Sequence, residues 1–286
     1  MKFSVFTVGT PDLTISQAVQ RLKHHGYDAV EWRVSDRPQE KPVPLPPREM
    51  WYWRYNQCTL RLSEIAREAK MAKSLSDEAG LEISSLSTYL NPAHTEEITE
   101  VLQAAQAIGC PRIRVMGPGY KGETDYNRLF GETQAHLTTV EKMAARFGVK
   151  VVLEMHHDTI IPSASAAYRL VSAFDSRWIG VIYDSGNMVH EGYERYTLGL
   201  TLLGKYLDHV HVKDARPVRQ GEDPSWMVEW CPLGEGMVDF PGLIAALKSA
   251  GYHGYLSSED FSNQHSTEEK LAHNISYIKA LIEAQN

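Results

Sequence analysis

Three cysteines in 286 residues are too few, and too irregularly placed, for a disulfide framework. Cys58, Cys110 and Cys231 therefore read as reduced thiols of a cytoplasmic protein. No run of about 18 apolar residues occurs, so no segment is expected to cross a membrane. Positive charge is also short, with 29 basic against 36 acidic residues and a formal net charge of −7. That balance argues against nucleic acid as the main partner, because phosphate binding relies on basic patches. The opening MKFSVFTVGTPDL is broken by glycine and proline too early for a signal peptide. Low-complexity stretches are missing, and no shift in composition marks a second domain, so residues 1–286 read as one domain.

What is present is a repeated punctuation of amphipathic helix, glycine, then strand. It occurs at Gly26, Gly80, Gly109, Gly148 and Gly251, in segments such as MAARFG followed by VKVVLEM. Glycine just past a helix takes the left-handed conformation that ends it. Strands alternating with helices imply parallel pairing through right-handed crossovers. Counting KFSVFTV, WIGVIYD and DHVHVKD as well gives eight strands. The length is near the roughly 250 residues of a (β/α)8 barrel. No GxGxxG follows the first strand, which disfavours an open doubly wound sheet. The expected fold is a single-domain (β/α)8 TIM barrel. Extended loops follow the second strand (36–58, with five prolines and then MWYWRYNQC) and the seventh (215–237). Each is a candidate lid over the catalytic face or a subunit contact, which leaves a homo-oligomer open.

Strand alternation sorts the side chains. Glu154, Asp184, His211 and Glu259 each close a strand on its interior parity, in VKVVLE, WIGVIYD, DHVHVKD and HGYLSSE. The steps of 30 and 27 residues between the first three approximate one strand-helix unit, and the 48 to Glu259 include the 215–237 insert. Barrel strands direct their C-terminal ends to one site. Three carboxylates and an imidazole there form a cradle for a divalent cation, and buried charge without such a partner is costly.

The pieces VVLEMHH, VIYDSGNM, HVHVKD, PLGEG with VDF, and LSSED together resemble the xylose isomerase-like barrels, in particular the sugar phosphate isomerase/epimerase and ketose 3-epimerase branch. The resemblance covers essentially the whole chain. It implies one divalent ion, Mn²⁺ first with Mg²⁺, Co²⁺ or Zn²⁺ as alternatives, held by Glu154, Asp184, His211 and Glu259. It also implies acid and base roles for Glu154 and Glu259. The chemistry is consistent: a metal polarises a carbonyl and stabilises an enediolate, while flanking carboxylates move the α-proton.

Several positions depart from the family pattern. Asn187 stands where many relatives have histidine, and an amide orients substrate rather than transferring protons. His156, on interior parity, is a candidate acid/base, whereas His157 has the opposite parity. Lys213 is a candidate substrate contact or a partner of a barrel carboxylate. Arg216, Trp51 and Trp53 are candidate substrate-binding residues, the tryptophans by stacking on a sugar face. Glu31 is expected to reach the pocket or to form a helix-facing ion pair. The extra histidines of the three-zinc nucleases in this superfamily are missing from STYLNP, VMGPGY, DSGN and VEWCPL. No glycine-rich phosphate nest follows the seventh or eighth strand. The leading expectation is therefore a metal-dependent isomerase or epimerase of a small, non-phosphorylated keto-sugar or derivative. The alternative is a lyase or dehydratase acting by β-elimination on a keto-inositol or 3-keto-glycoside. A non-catalytic sugar-binding barrel is the third reading.

Overall fold

Eight parallel strands close on themselves: β1 Lys2–Phe6, β2 Ala29–Val34, β4 Glu82–Ser87, β5 Arg112–Met116, β6 Lys150–Glu154, β7 Ile179–Asp184, β8 Leu207–Val212 and β11 Tyr255–Ser258. Pairing runs β1, β11, β8, β7, β6, β5, β4, β2, and β2 returns to β1 to complete the barrel. The two-residue β3, Thr59–Leu60, adds to the outside of β2. A hairpin of β9, Asp214–Arg219, and β10, Trp226–Cys231, stands apart as its own antiparallel sheet. The structure, a computed structural model, describes residues 1–36, 49–219, 221 and 225–285. Helices surround the barrel, as expected for a single-domain (β/α)8 fold.

Local chemistry sets the boundaries. Thr14 caps the helix Ile15–His25 and Gln17 returns the bond, a reciprocal capping box. The five glycines expected to end helices all take positive φ, from 65° at Gly148 to 77° at Gly26. The apolar strand residues Val30, Trp32, Ile113, Val115, Val151 and Leu153 are fully buried in the main core cluster with the helices. Their alternates face inward.

The loop expected over 215–237 is instead largely the β9–β10 hairpin, anchored at Asp214. Its carboxylate accepts backbone N–H bonds from Ala215, Gly234, Gly236 and Val238 at 2.9–3.1 Å. A Cβ at Gly236 would lie 2.0 Å from Asp214 Oδ1, so PLGEG is a wrapping for that carboxylate. Of the other extended loop, residues 37–48 lie outside the described residues, while Glu49–Trp53 is a short helix. Among the described residues no helix is long and apolar enough to cross a membrane.

Near the N-terminal ends of the strands the barrel is locked by ion pairs. Asp208 accepts from Arg112 Nε and Lys150 Nζ, both at 2.5 Å. Burial alone would raise the Asp208 carboxyl, but the two cations outweigh it and hold it below its ordinary value. A depressed folded pKa contributes stability that is present above about pH 4 and lost as pH falls through the folded value. Asp208→Asn is expected to destabilise the barrel by roughly 3 kcal/mol at neutral pH. In urea melts that gap to the wild type should close as pH drops below about 4; a gap independent of pH would contradict this assignment.

Candidate metal centre

The C-terminal ends of β6, β7, β8 and β11 bring the four expected ligands together. Register places Glu154 opposite Ile182, Asp184 opposite His211, and His211 opposite Ser257, two residues before Glu259. One ligand atom from each of Glu154, Asp184, His211 and Glu259 lies within 4.8 Å of all the others, and all four side chains are buried. His211 Nδ1 is the hub, at 3.2 Å from Glu154 Oε1, 3.5 Å from Asp184 Oδ2 and 3.1 Å from Glu259 Oε1.

Beneath this layer lies Glu31, neither helix-facing nor at the pocket. It is fully buried inside the barrel, accepting from His209 Nε2 at 2.8 Å and His211 Nε2 at 3.0 Å. Ser87 Oγ donates to it as well, at 2.5 Å. The carboxylate thus makes His211 Nε2 the donor and leaves Nδ1 aimed at the three oxygens above. Phe6 stacks on the same imidazole at 5.6 Å between centroids.

Two cations flank the cluster. Arg114, on β5, donates to Glu154 Oε2 at 2.5 Å. Lys213, just past β8, lies 2.5 Å from Glu259 Oε1 and 2.9 Å from Asp184 Oδ2. The lysine reaches this point because Gly186 has no side chain; a Cβ there would meet Lys213 Cγ at 2.3 Å. Burial would raise the Glu154 carboxyl, yet Arg114 and His211 hold it well below the carboxylate range. Glu259 is brought to about 2 in the same way, burial being outweighed by Lys213 and His211. Asp184 goes the other way, to about 6, because burial and the neighbouring Glu259 and Glu154 outweigh Lys213.

The remaining expected residues divide. Asn187 is buried and donates to Glu154 Oε1 at 3.1 Å and the Met155 carbonyl at 3.0 Å, so it orients the carboxylate. His156 and Trp53 line a cavity of 450 Å³ with Glu154, Lys213 and Glu259. His157 lines it too, against expectation: β6 stops at Glu154, and strand parity no longer holds beyond it. Its ring stacks on His156 at 4.4 Å and on His190 at 4.0 Å. Burial and neighbouring positive groups press His157 to about 3 and His190 to about 4, so both are neutral imidazoles. Arg216 pairs with Glu229 across the hairpin at 2.7 Å and is not among the residues lining this cavity. Trp51 is half-buried and also lies outside the cavity lining. Arg114, Phe6, Tyr89, Met116, Trp230 and Phe261 complete the lining and were not anticipated.

A family model described as "Xylose isomerase-like TIM barrel" matches residues 19–281. The rhizopine catabolism protein MocC of Rhizobium meliloti is 32% identical over 155 residues, covering 50% of this chain and 45% of its own. An inosose dehydratase of Geobacillus thermodenitrificans is 28% identical over 224 residues, covering 68% and 74%. Against MocC and the inosose dehydratases of two Clostridium species the match spans only about half the relative's length. A crystal structure of IolI protein with a bound zinc atom superposes with a TM-score of 0.73 at 17% identity, covering 99% of each chain, a likeness of fold.

The residues fit a divalent cation on electrostatic grounds. Glu31, Glu154, Asp184 and Glu259 set four carboxylates against the fixed cations Arg114 and Lys213. Burial would lower His211, but Glu31, Glu259 and Glu154 outweigh it and raise the imidazole well above its ordinary value, so without a cation it carries the charge that offsets part of theirs. Once His211 gives up its Nδ1 proton to act as a ligand, two negative charges remain in a dry interior, which one dication would balance. Asp184 Oδ2 is buried and has ion-pair contacts with Lys213 and His211 but no well-aligned hydrogen bond, so it keeps a lone pair for the same point. Three oxygens and one nitrogen suit Mn²⁺, Mg²⁺, Co²⁺ or Zn²⁺. By calorimetric titration of chelator-treated protein, Glu31→Gln is expected to weaken Mn²⁺ binding about 10- to 100-fold, and Asp184→Asn by more. Unaltered affinity in Glu31→Gln would show that the carboxylate does not orient His211.

Proposed function

This chain belongs to the xylose isomerase-like TIM barrels, and we propose that it is a metal-dependent enzyme removing the proton α to the carbonyl of a non-phosphorylated keto-sugar or keto-sugar derivative, as an isomerase or epimerase. The supporting observation is the pairing of Glu259 with Lys213 on the wall of one cavity. A cation held by Glu154, Asp184, His211 and Glu259 would polarise the carbonyl and lower the energy of the charge that develops on its oxygen. The protein's own groups do the rest.

Glu259 is ionised at neutral pH and lines the cavity, so it is the group assigned to take the α-proton. Glu154 is less free to do so. Its Oε2 is committed to Arg114, and its Oε1 to Asn187 and His211. Lys213 carries a positive charge that can be shared between Glu259 and a substrate oxygen gaining negative charge. His156 Nδ1 lies 2.7 Å from the His157 carbonyl and must donate there, which leaves Nε2 as the nitrogen that exchanges a proton with substrate. Epimerisation follows if His156 gives an Nε2 proton to the other face of the carbon while Glu259 keeps the one it took; isomerisation follows if Glu259 returns its proton to the neighbouring carbon. A neutral sugar is favoured because, among the described residues, the two cations lining the cavity are both paired with carboxylates.

A second reading has its own support. With Glu154 held through both oxygens, Glu259 is the cavity carboxylate left to act as a base, and one base suffices for β-elimination. In that reaction Glu259 takes the α-proton, a carbon–carbon double bond forms, and the C–O bond to the β-carbon breaks. The departing oxygen takes a proton from His156 Nε2; Lys213 is a poor acid, because burial would lower its ammonium but Asp184, Glu259 and Glu154 outweigh that and raise it above the ordinary value. The curated relatives named inosose dehydratase point the same way.

Incubation of Mn²⁺-loaded protein with ketoses, keto-inositols and keto-glycosides in deuterated water, followed by proton NMR, is expected to show deuterium entering an α-carbon. Product of unchanged composition marks an isomerase or epimerase, and loss of water or aglycone marks the lyase. Glu259→Gln is expected to lower kcat by about 10² to 10⁴. No exchange on any of the three classes would sink both readings.

A further inference from the structure

A second cavity of 440 Å³ adjoins the catalytic one and shares three of its walls, Trp53, Trp230 and Phe261. Beyond those rings it is lined by polar groups that the inner cavity does not touch, Glu229, Asn263 and Gln264. The aromatic partition is built from separate parts of the chain. Trp230 comes from β10, Trp53 from the helix Glu49–Trp53, and Phe261 follows β11. Phe261 packs at 5.0 Å from Trp53 and 5.5 Å from Trp230, and Trp230 lies 5.1 Å from Lys213 Nζ. Trp53 is 46% exposed, so its ring is open to contact from outside.

Aromatic faces bordered by carboxylate and amide groups are the chemistry that holds a pyranose ring: C–H faces stack on the indole while hydroxyls meet the polar rim. We propose that the outer cavity is a binding subsite for the second ring of a two-ring substrate, so that the substrate is a keto-glycoside whose ketone-bearing ring occupies the inner cavity. This assignment rests on the carbonyl chemistry proposed above for the inner site. A single-ring ketose would leave the outer cavity and its polar rim unused. The hairpin then has a role as the structure that carries Trp230 to the boundary between the two rings.

The test separates binding from turnover. Tryptophan fluorescence titration of the intact Mn²⁺-loaded protein with cellobiose and with methyl glucoside, neither of which carries a ketone, reads the subsite alone. Tighter binding of cellobiose by about tenfold is expected, and the exposed double substitution Asn263→Ala/Gln264→Ala should remove that advantage. With the 3-keto forms of the same two glycosides, the double variant should raise KM for the two-ring compound about tenfold and leave the one-ring compound within about twofold. Equal affinity of the wild type for one and two rings would overturn the subsite even if turnover is seen. An advantage for cellobiose, lost in the variant, upholds it even if neither keto compound reacts, and that failure would fall on the carbonyl chemistry instead. A variant that changes both compounds equally would also overturn it.

Discussion

Electrostatic balance inside a closed barrel is the constraint on which the rest of this structure depends. A barrel with helices all round has no wet face, so every charged side chain on its interior must find a partner. Near the bottom the partners are protein groups, Asp208 with Arg112 and Lys150. Toward the top they are incomplete, because Glu154, Asp184, Glu259 and the underlying Glu31 meet only Arg114, Lys213 and the one imidazole of His211. The same shortage that would destabilise a purely structural core fits the top of this barrel to take up a cation. Glu31 sets the direction of that receptor by fixing which nitrogen of His211 faces upward.

The unequal treatment of the carboxylates follows from the same balance. Arg114 and Asn187 secure Glu154, so it can serve as a ligand but is a poor proton acceptor. Glu259 is held by Lys213, which also faces the cavity, and by the buried His211. In the proposed chemistry Glu154, at the end of β6, would therefore act as a ligand alone, while Glu259, just past β11, would serve as both ligand and base. The aromatic wall brought by the hairpin closes the other side, placing Trp230 and Phe261 around Lys213.

The metal cradle was legible because strand parity and helix-ending glycines are local signals that the barrel leaves intact. Arg114 and Glu31 carried the same signal and were misread or passed over. In RIRVM and AVEWRV the apolar alternates pack on the helices, and in a closed barrel the charged alternates can only point inward. His157 was misjudged for a different reason: the chain leaves β6 after Glu154 and turns, with Asp158 at φ 57°, so counting by twos no longer applies. Arg216 and Trp230 depended on a hairpin whose antiparallel pairing sets Arg216 opposite Glu229, a long-range register that no single segment announces. The inward return of Asn187 depends on the short 3-10 turn after β7.

The most direct measurement is anomalous diffraction at the manganese edge from crystals grown with Mn²⁺. The expected result is one peak per chain, enclosed by Glu154, Asp184, His211 and Glu259, with His211 presenting Nδ1. No peak at that position, or a peak instead among Glu31, His209 and His211, would contradict the charge balance from which the site has been built.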